Sequence, residues 1–187
     1  MPLGPAHILL VDDDESFLKF LATVLRDEYH HRIDTTMSGE DAVALLENGK
    51  TYFDMIFLDY FMPGMTGLDV MKWMNDRQIG TPVVVLTGAG NEQVAVEAMK
   101  LGAYDYLRKE EIDIGHLGTV IDATRERHLF RVSQEIERER AKEILQNDRA
   151  TELLRQAINS ITPSLMFSSL IQNSTVWLLG PTAERST

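Results

Sequence analysis

The chain of 187 residues has no cysteine, only six prolines, and few aromatic residues (7%). Without thiols it can build no disulfide scaffold, no cysteine-ligated zinc site and no thiol nucleophile. No stretch of eighteen apolar residues occurs, so nothing in the sequence reads as a membrane-spanning helix, and no membrane insertion is expected. The apolar run Ile8 to Val11 is short, lacks a basic lead-in and ends in acids, which is not the pattern of a secretory signal. These absences predict a cytoplasmic protein. Positive charge is also scarce, with 18 Lys plus Arg against 29 Asp plus Glu and a net charge of −11. A phosphate backbone is bound by clustered Lys and Arg, so no nucleic-acid partner is expected.

What is present is a globular composition, 44% apolar and 25% charged. The length suits one domain plus an appendage. Charge marks the division. Residues 1–127 hold 22 acids and 11 Lys plus Arg, whereas residues 128–187 hold 7 of each. Surplus acids can merely keep a domain soluble, dock a basic partner, or hold a divalent cation, and charge alone does not choose among these.

The pattern along residues 7–127 alternates between short apolar runs and helical spacing. Residues 7–11, 32–37, 53–58, 83–86 and 103–107 read as strands, and the runs at 7–11, 53–58 and 83–86 are apolar enough to be buried on both faces. Between them lie helical patterns: Phe17, Leu18, Leu21, Val24 and Leu25 after Glu15; Ala42, Leu45 and Leu46 after the N-cap Ser38; Leu68, Met71 and Met74 over residues 67–77; and Val94, Ala95, Ala98 and Met99, closed by Gly102. A last helix is expected from about Ile112. Such alternation predicts an α/β fold, a doubly wound five-stranded parallel sheet with helices on both faces. In sheets of this kind ligands bind outside the carboxyl ends of the strands. The residues standing there are Asp12, Asp13 and Asp14, then Asp59, Thr87 and Lys109.

These side chains make a coherent set. Crowded carboxylates raise one another's pKa, and a cation relieves that cost. Oxygen ligands in an open cup suit Mg²⁺, which keeps waters and shares its shell with phosphate. A carboxylate can itself accept a phosphoryl group, while Lys109 neutralises charge and Thr87 donates a hydrogen bond. Singly, each residue has a plainer explanation: Asp12 to Asp14 as a helix cap, Thr87 as a capping hydroxyl, Lys109 as a solvated charge, Tyr106 as core. Gly88-Ala89-Gly90 is only a faint dinucleotide signal, because Gln93 stands where that fingerprint has glycine. The five histidines show no metal-ligand spacing.

The stretches Ile8-Leu9-Leu10-Val11-Asp12-Asp13-Asp14, Phe57-Leu58-Asp59-Tyr60-Phe61-Met62-Pro63-Gly64, Val84-Val85-Leu86-Thr87-Gly88 and Gly102-Ala103-Tyr104-Asp105-Tyr106-Leu107-Arg108-Lys109 together resemble the receiver domain of two-component response regulators. The resemblance covers roughly residues 5–127. It implies that Asp59 is phosphorylated from a sensor histidine kinase or a phosphotransfer protein. It also implies that Asp13, Asp59 and the Phe61 carbonyl ligate Mg²⁺, with Asp12 orienting water or metal nearby. Lys109 would pair with the phosphoryl group, and Thr87 and Tyr106 would form the switch. The domain would be a signalling phospho-acceptor, not an enzyme, with slow self-dephosphorylation. The chain departs from the family pattern at Glu110, where a proline commonly follows the lysine, and this bears on the loop's partner surface.

Beyond the receiver, residues 128–162 carry apolar positions at Leu129, Val132, Ile136, Ile144, Leu145, Leu153, Leu154, Ile158 and Ile161 on a strongly helix-forming background. This predicts a long, coiled-coil-like helix that forms a homodimer or folds back. Pro163 should end or kink it. Residues 163–187 form a short apolar tail of undefined role: a second helix, a partner-binding segment or the opening of a larger domain. The sequence also admits two competing functions. One is a constitutive helical dimer or adaptor with a passive receiver. The other is a phosphatase using Asp59 as nucleophile, which is disfavoured because Phe61 stands where such enzymes place an acid.

Overall fold

The structure, a computed structural model, describes residues 3–88 and 92–174, and among these the side chains of Glu92, Asn159 and residues 161–174 are not described. Elements alternate as β1 (His7–Val11), α1 (Glu15–Asp27), β2 (Arg32–Thr36), α2 (Gly39–Glu47), β3 (Met55–Asp59), α3 (Gly67–Asp76), β4 (Val83–Thr87), α4 (Glu92–Lys100), β5 (Asp105–Arg108), a 3₁₀ turn (Lys109–Glu111) and α5 (Ile114–Ser174). The five strands are all parallel, in the order β2-β1-β3-β4-β5. The order reverses between β1 and β3, and there the two strand ends leave a crevice.

The alternation of side chains along a strand divides the core in two. Ile8, Leu10, Met55, Phe57, Val84 and Leu86 point to one face, where Leu18, Leu21 and Leu25 of α1 and Leu117 and Ile121 of α5 cover them. Leu9, Val11, Ile56, Leu58, Val83 and Val85 point to the other, against Ala42 of α2, Leu68, Met71 and Met74 of α3, and Ala98 of α4. The continuous apolar runs of β1, β3 and β4 follow from this: a central parallel strand has no wet face.

Chain punctuation sets where each helix starts. Asp14 caps α1, accepting from the backbone N–H groups of Ser16 and Phe17 at 2.8 and 3.1 Å. Ser38 caps α2 through the Asp41 N–H. Thr66 and Asp69 form a reciprocal capping box on α3. The loop from β3 to α3 folds tightly back on the strand end, so a Cβ on Gly67 would lie 2.3 Å from the Asp59 carbonyl oxygen.

Several boundaries differ from the sequence expectation. β3 begins at Met55, not residue 53, because Asp54 turns aside to accept from the His7 N–H at 2.7 Å. Asp59 pairs with Leu86 of β4 and is the last residue of the strand rather than the first beyond it. β5 spans Asp105–Arg108, not residues 103–107, and as an edge strand it is only half covered. α5 starts at Ile114, after the 3₁₀ turn. Every peptide bond among the described residues is trans, that between Lys109 and Glu110 included.

The chain divides into two compact units, Met1–Val132 and Ser133–Thr187. In the second, the backbone of α5 stays helical to Ser174, so Pro163 does not end it. A proline removes one N–H and clashes with one carbonyl, which bends a helix without necessarily stopping it. Of the segment 163–187, residues 175–187 lie outside the described residues, as do Ala89 and Gly90 of the β4–α4 loop. Among the described residues no helix is long and apolar enough to cross a membrane.

Candidate functional site

Four strand or loop ends meet at the crevice between β1 and β3. The acidic run after β1 splits its labour. Asp14 serves the helix as cap, while Asp12 turns inward and is fully buried, accepting from the Asp14 N–H at 2.9 Å through Oδ1. Asp13 is exposed beside it. Asp59, at the end of β3, is 3% exposed. Asp12, Asp13 and Asp59 each offer a carboxylate oxygen within 4.8 Å of the others.

Lys109 reaches into this group from the end of β5. Its Nζ lies 2.6 Å from Asp12 Oδ2 and 3.1 Å from Asp59 Oδ1. Asp12 Oδ2 is buried, and this ammonium is its close partner. On its other side the ammonium lies over the ring of Phe17, 4.9 Å from the centroid.

Burial and the neighbouring Asp12 charge push the Asp59 carboxyl up to about 6 from its ordinary value of 3.8, against the pull of Lys109. Burial works against the Lys109 ammonium, but the Asp12 and Asp59 carboxylates more than offset it and hold its pKa above the ordinary value. One ammonium therefore serves two buried carboxylates with a third carboxylate at the rim. The cluster is short of positive charge, with three carboxylates set against one ammonium. Three carboxylates in an oxygen-only, partly open cup fit a Mg²⁺ ion, which takes one or two carboxylates and keeps waters.

Thr87 ends β4 beside the site, 3% exposed, and its hydroxyl donates to the Gly88 carbonyl at 3.1 Å. Tyr106 on β5 faces outward, 38% exposed, alongside Val96, Met99 and Lys100 of α4. The Phe61 side chain is 75% exposed, so any part it plays at the crevice is through its backbone. The sequence-predicted Asp12, Asp13, Asp59 and Lys109 thus stand together, while Thr87 and Tyr106 are turned to other partners. Phe17 was missed. Its apolar spacing on α1 reads as core, and only the three-dimensional contact reveals the cation beside it.

The chain is similar to several known proteins. The response regulator receiver domain matches residues 8–122. The response regulator SaeR of Staphylococcus aureus is 34% identical over 103 residues, covering 55% of this chain and 43% of that protein. The chain thus spans less than half the length of this relative. The signal receiver domain of a protein described as a Luxo repressor, from Vibrio parahaemolyticus, superposes with a TM-score of 0.61 at 31% identity, covering 71% of this chain and 98% of that one. A response regulator receiver domain protein from Clostridium thermocellum gives a TM-score of 0.61 at 26% identity, over 67% of this chain and 98% of that one.

Proposed function

The chain belongs to the response regulator receiver family, whose domains are phospho-acceptors rather than enzymes with turnover on a substrate pool, and from that premise we propose that Asp59 takes a phosphoryl group from a sensor histidine kinase or a phosphotransfer protein. The observation that carries this reading is the buried Asp59 carboxylate with the Lys109 ammonium 3.1 Å from its Oδ1 and two further carboxylates within 4.8 Å.

The transfer is an in-line exchange. An oxygen of the ionised Asp59 attacks phosphorus, the P–O bond forms as the P–N bond to a donor imidazole breaks, and the imidazole nitrogen keeps the electron pair. Mg²⁺, held by Asp13, Asp59 and the Phe61 carbonyl with Asp12 orienting water or metal, would neutralise charge on the phosphoryl oxygens. Lys109 needs only a small shift from Asp59 Oδ1 to pair with a phosphoryl oxygen. Thr87 would exchange its bond to Gly88 for one to the phosphoryl group, and Tyr106 would turn inward behind it. That exchange gives the two states a difference in interaction energy, without which no signal passes. Slow hydrolysis of the acyl phosphate resets the domain, since no side-chain acid stands at position 61 to accelerate it.

Residues 1–127 carry the acceptor in this reading, and the helix beyond transmits its state. Ile136, Leu145, Leu153 and Leu154 on that helix are between 47% and 70% exposed. An apolar set of this kind is buried by pairing with a second copy, so the output is a homodimer made through residues 128–162, with 163–187 of undefined role. In this reading the module works in the cytoplasm.

The test is phosphoryl uptake from a small-molecule phosphodonor with Mg²⁺. The wild type should take up one phosphoryl group, Asp59→Asn none, and Asp13→Ala little, with partial recovery at high Mg²⁺. Equal, acid-stable uptake by Asp59→Asn would sink the assignment. The adaptor alternative, with a passive receiver, predicts no uptake by the wild type at all.

A further inference from the structure

We propose that Phe17 is a positioning residue for phosphoryl transfer: the face of its ring keeps the Lys109 ammonium over the acceptor. The inference rests on the receiver reading above and adds to it a side chain outside the predicted acceptor set.

A lysine is a compact charge on a flexible four-carbon stem, so where it points is decided by what flanks it. Lys109 is flanked on one side by Asp12 and Asp59 and on the other by the Phe17 ring, 4.9 Å from Nζ to centroid. That lies inside the range of about 6 Å over which a ring face attracts a cation. The two kinds of flank respond differently to the reaction. When a phosphoryl group and a dication enter, the charges on Asp12 and Asp59 are redistributed, and the partners that now hold Lys109 are the ones being claimed. The ring offers no oxygen to a metal and carries no charge to be neutralised. Its hold on the ammonium persists through the transfer.

The helix geometry explains why Phe17 can reach. Helical side chains lean toward the helix N-terminus. Phe17 is the third residue of α1, so its ring leans back over the end of β1, where Asp12 and Asp13 stand. Its backbone is fixed by the Asp14 cap at 3.1 Å, and its ring packs against the core face that contains Leu18 and Leu21. The run from Asp12 to Phe17 is thus a single device: two site carboxylates, a cap that starts the helix, and a ring that returns to the site one turn later.

The experiment measures initial phosphorylation rates of the full chain with a small-molecule phosphodonor at saturating Mg²⁺, together with Mg²⁺ affinity by calorimetry. Phe17→Leu keeps apolar bulk but loses the ring face, and it should slow phosphorylation about three- to ten-fold, as expected for losing one cation–ring contact. Mg²⁺ affinity should stay unchanged. Phe17→Tyr, which keeps the face, should stay near the wild-type rate. In a Lys109→Met background, Phe17→Leu should have no further effect. Ring-fluorinated phenylalanines at position 17 keep the shape while draining the face of charge density, and the rate should fall with each added fluorine. They also serve if Phe17→Leu folds poorly. A rate that is flat across the fluorinated series, or a Phe17→Leu rate equal to wild type, overturns the inference and leaves the receiver reading standing. A wild type that takes up no phosphoryl group overturns both.

Discussion

At the scale of the residue, the acceptor site is a problem of unbalanced charge. Asp59 is buried next to Asp12, and its carboxyl titrates near 6 rather than 3.8. The fold favours the protonated form. That stabilisation is complete below the ordinary carboxylate value and is lost as pH rises through about 6. Two pKa units correspond to about 3 kcal/mol, which ionised Asp59 costs the metal-free fold at neutral pH. Asp59→Asn should therefore raise stability in Mg²⁺-free denaturation at neutral pH, by up to about 3 kcal/mol, with the advantage fading toward acid pH. Mg²⁺ should stabilise the wild type and not the variant. A variant less stable than wild type in metal-free buffer would mean that Lys109 already balances the cluster. Protons and metal compete for the same oxygen, so Mg²⁺ affinity should be flat above pH 6 and fall by about tenfold per unit below it, as calorimetry across that range would register. His31 works in the opposite sense to Asp59. Burial, aided by Arg125, holds its pKa down while its Nδ1 accepts from the Ala6 N–H at 3.0 Å. Its contribution to stability is present above the ordinary histidine value of 6.5 and is lost as pH falls below it.

At the scale of the element, the loops carry the constraint that places Asp59. Gly67 lets α3 start directly against the strand end, where a Cβ would meet the Asp59 carbonyl oxygen at 2.3 Å. Gly67→Ala should cost about 2 kcal/mol or more in denaturant unfolding, since the clash is with backbone that has nowhere to move. Thr66→Ala removes only the cap and should cost about 1 kcal/mol. A Gly67→Ala protein as stable as Thr66→Ala would show that the loop gives way. The elements differ in how plainly the sequence displays them. β1, β3 and β4 are continuous apolar runs because both their faces are covered, and helices α1 to α3 have apolar stripes that open on side-chain caps. Edge strand β5 is half exposed, so its alternation is weak and its bounds shift to Asp105–Arg108. The capping box of Thr66 and Asp69 is visible in the spacing once sought, but the Pro63–Gly64 turn just before it draws attention first. At the site, Asp12, Asp59 and Lys109 are legible because ionisable groups stand together at the carboxyl ends of neighbouring strands, where each alone would read as a cap or a solvated charge. Phe17 is not legible, since an apolar residue on an apolar stripe carries no mark of a cation above it. Pro163 misleads in the other direction, because a helix can run on to Ser174 past one missing N–H.

At the scale of the whole molecule, the chain joins an acidic phospho-acceptor unit to a long helix of balanced charge. The exposed Ile136, Leu145, Leu153 and Leu154 predict that the helix is paired in solution. Light scattering should give twice the monomer mass, either always or only after phosphodonor and Mg²⁺ are added. A monomer under both conditions would contradict the dimer and leave the acceptor chemistry untouched. Mutating Leu153 and Leu154 together to Asp should dissociate such a dimer without reducing phosphoryl uptake, and a variant that still sediments as a dimer would place the contact elsewhere. Phosphoryl acceptance at Asp59 concerns one oxygen on one side chain, and it has a direct chemical test. Borohydride reduces an aspartyl phosphate to homoserine, so the chain can be treated with phosphodonor and Mg²⁺, reduced, digested and sequenced by mass spectrometry. Homoserine should appear at position 59 only, dependent on Mg²⁺ and absent without the donor. Homoserine at position 12 or 13 in its place, or an unmodified Asp59 in a chain that has gained a phosphoryl group, would contradict it.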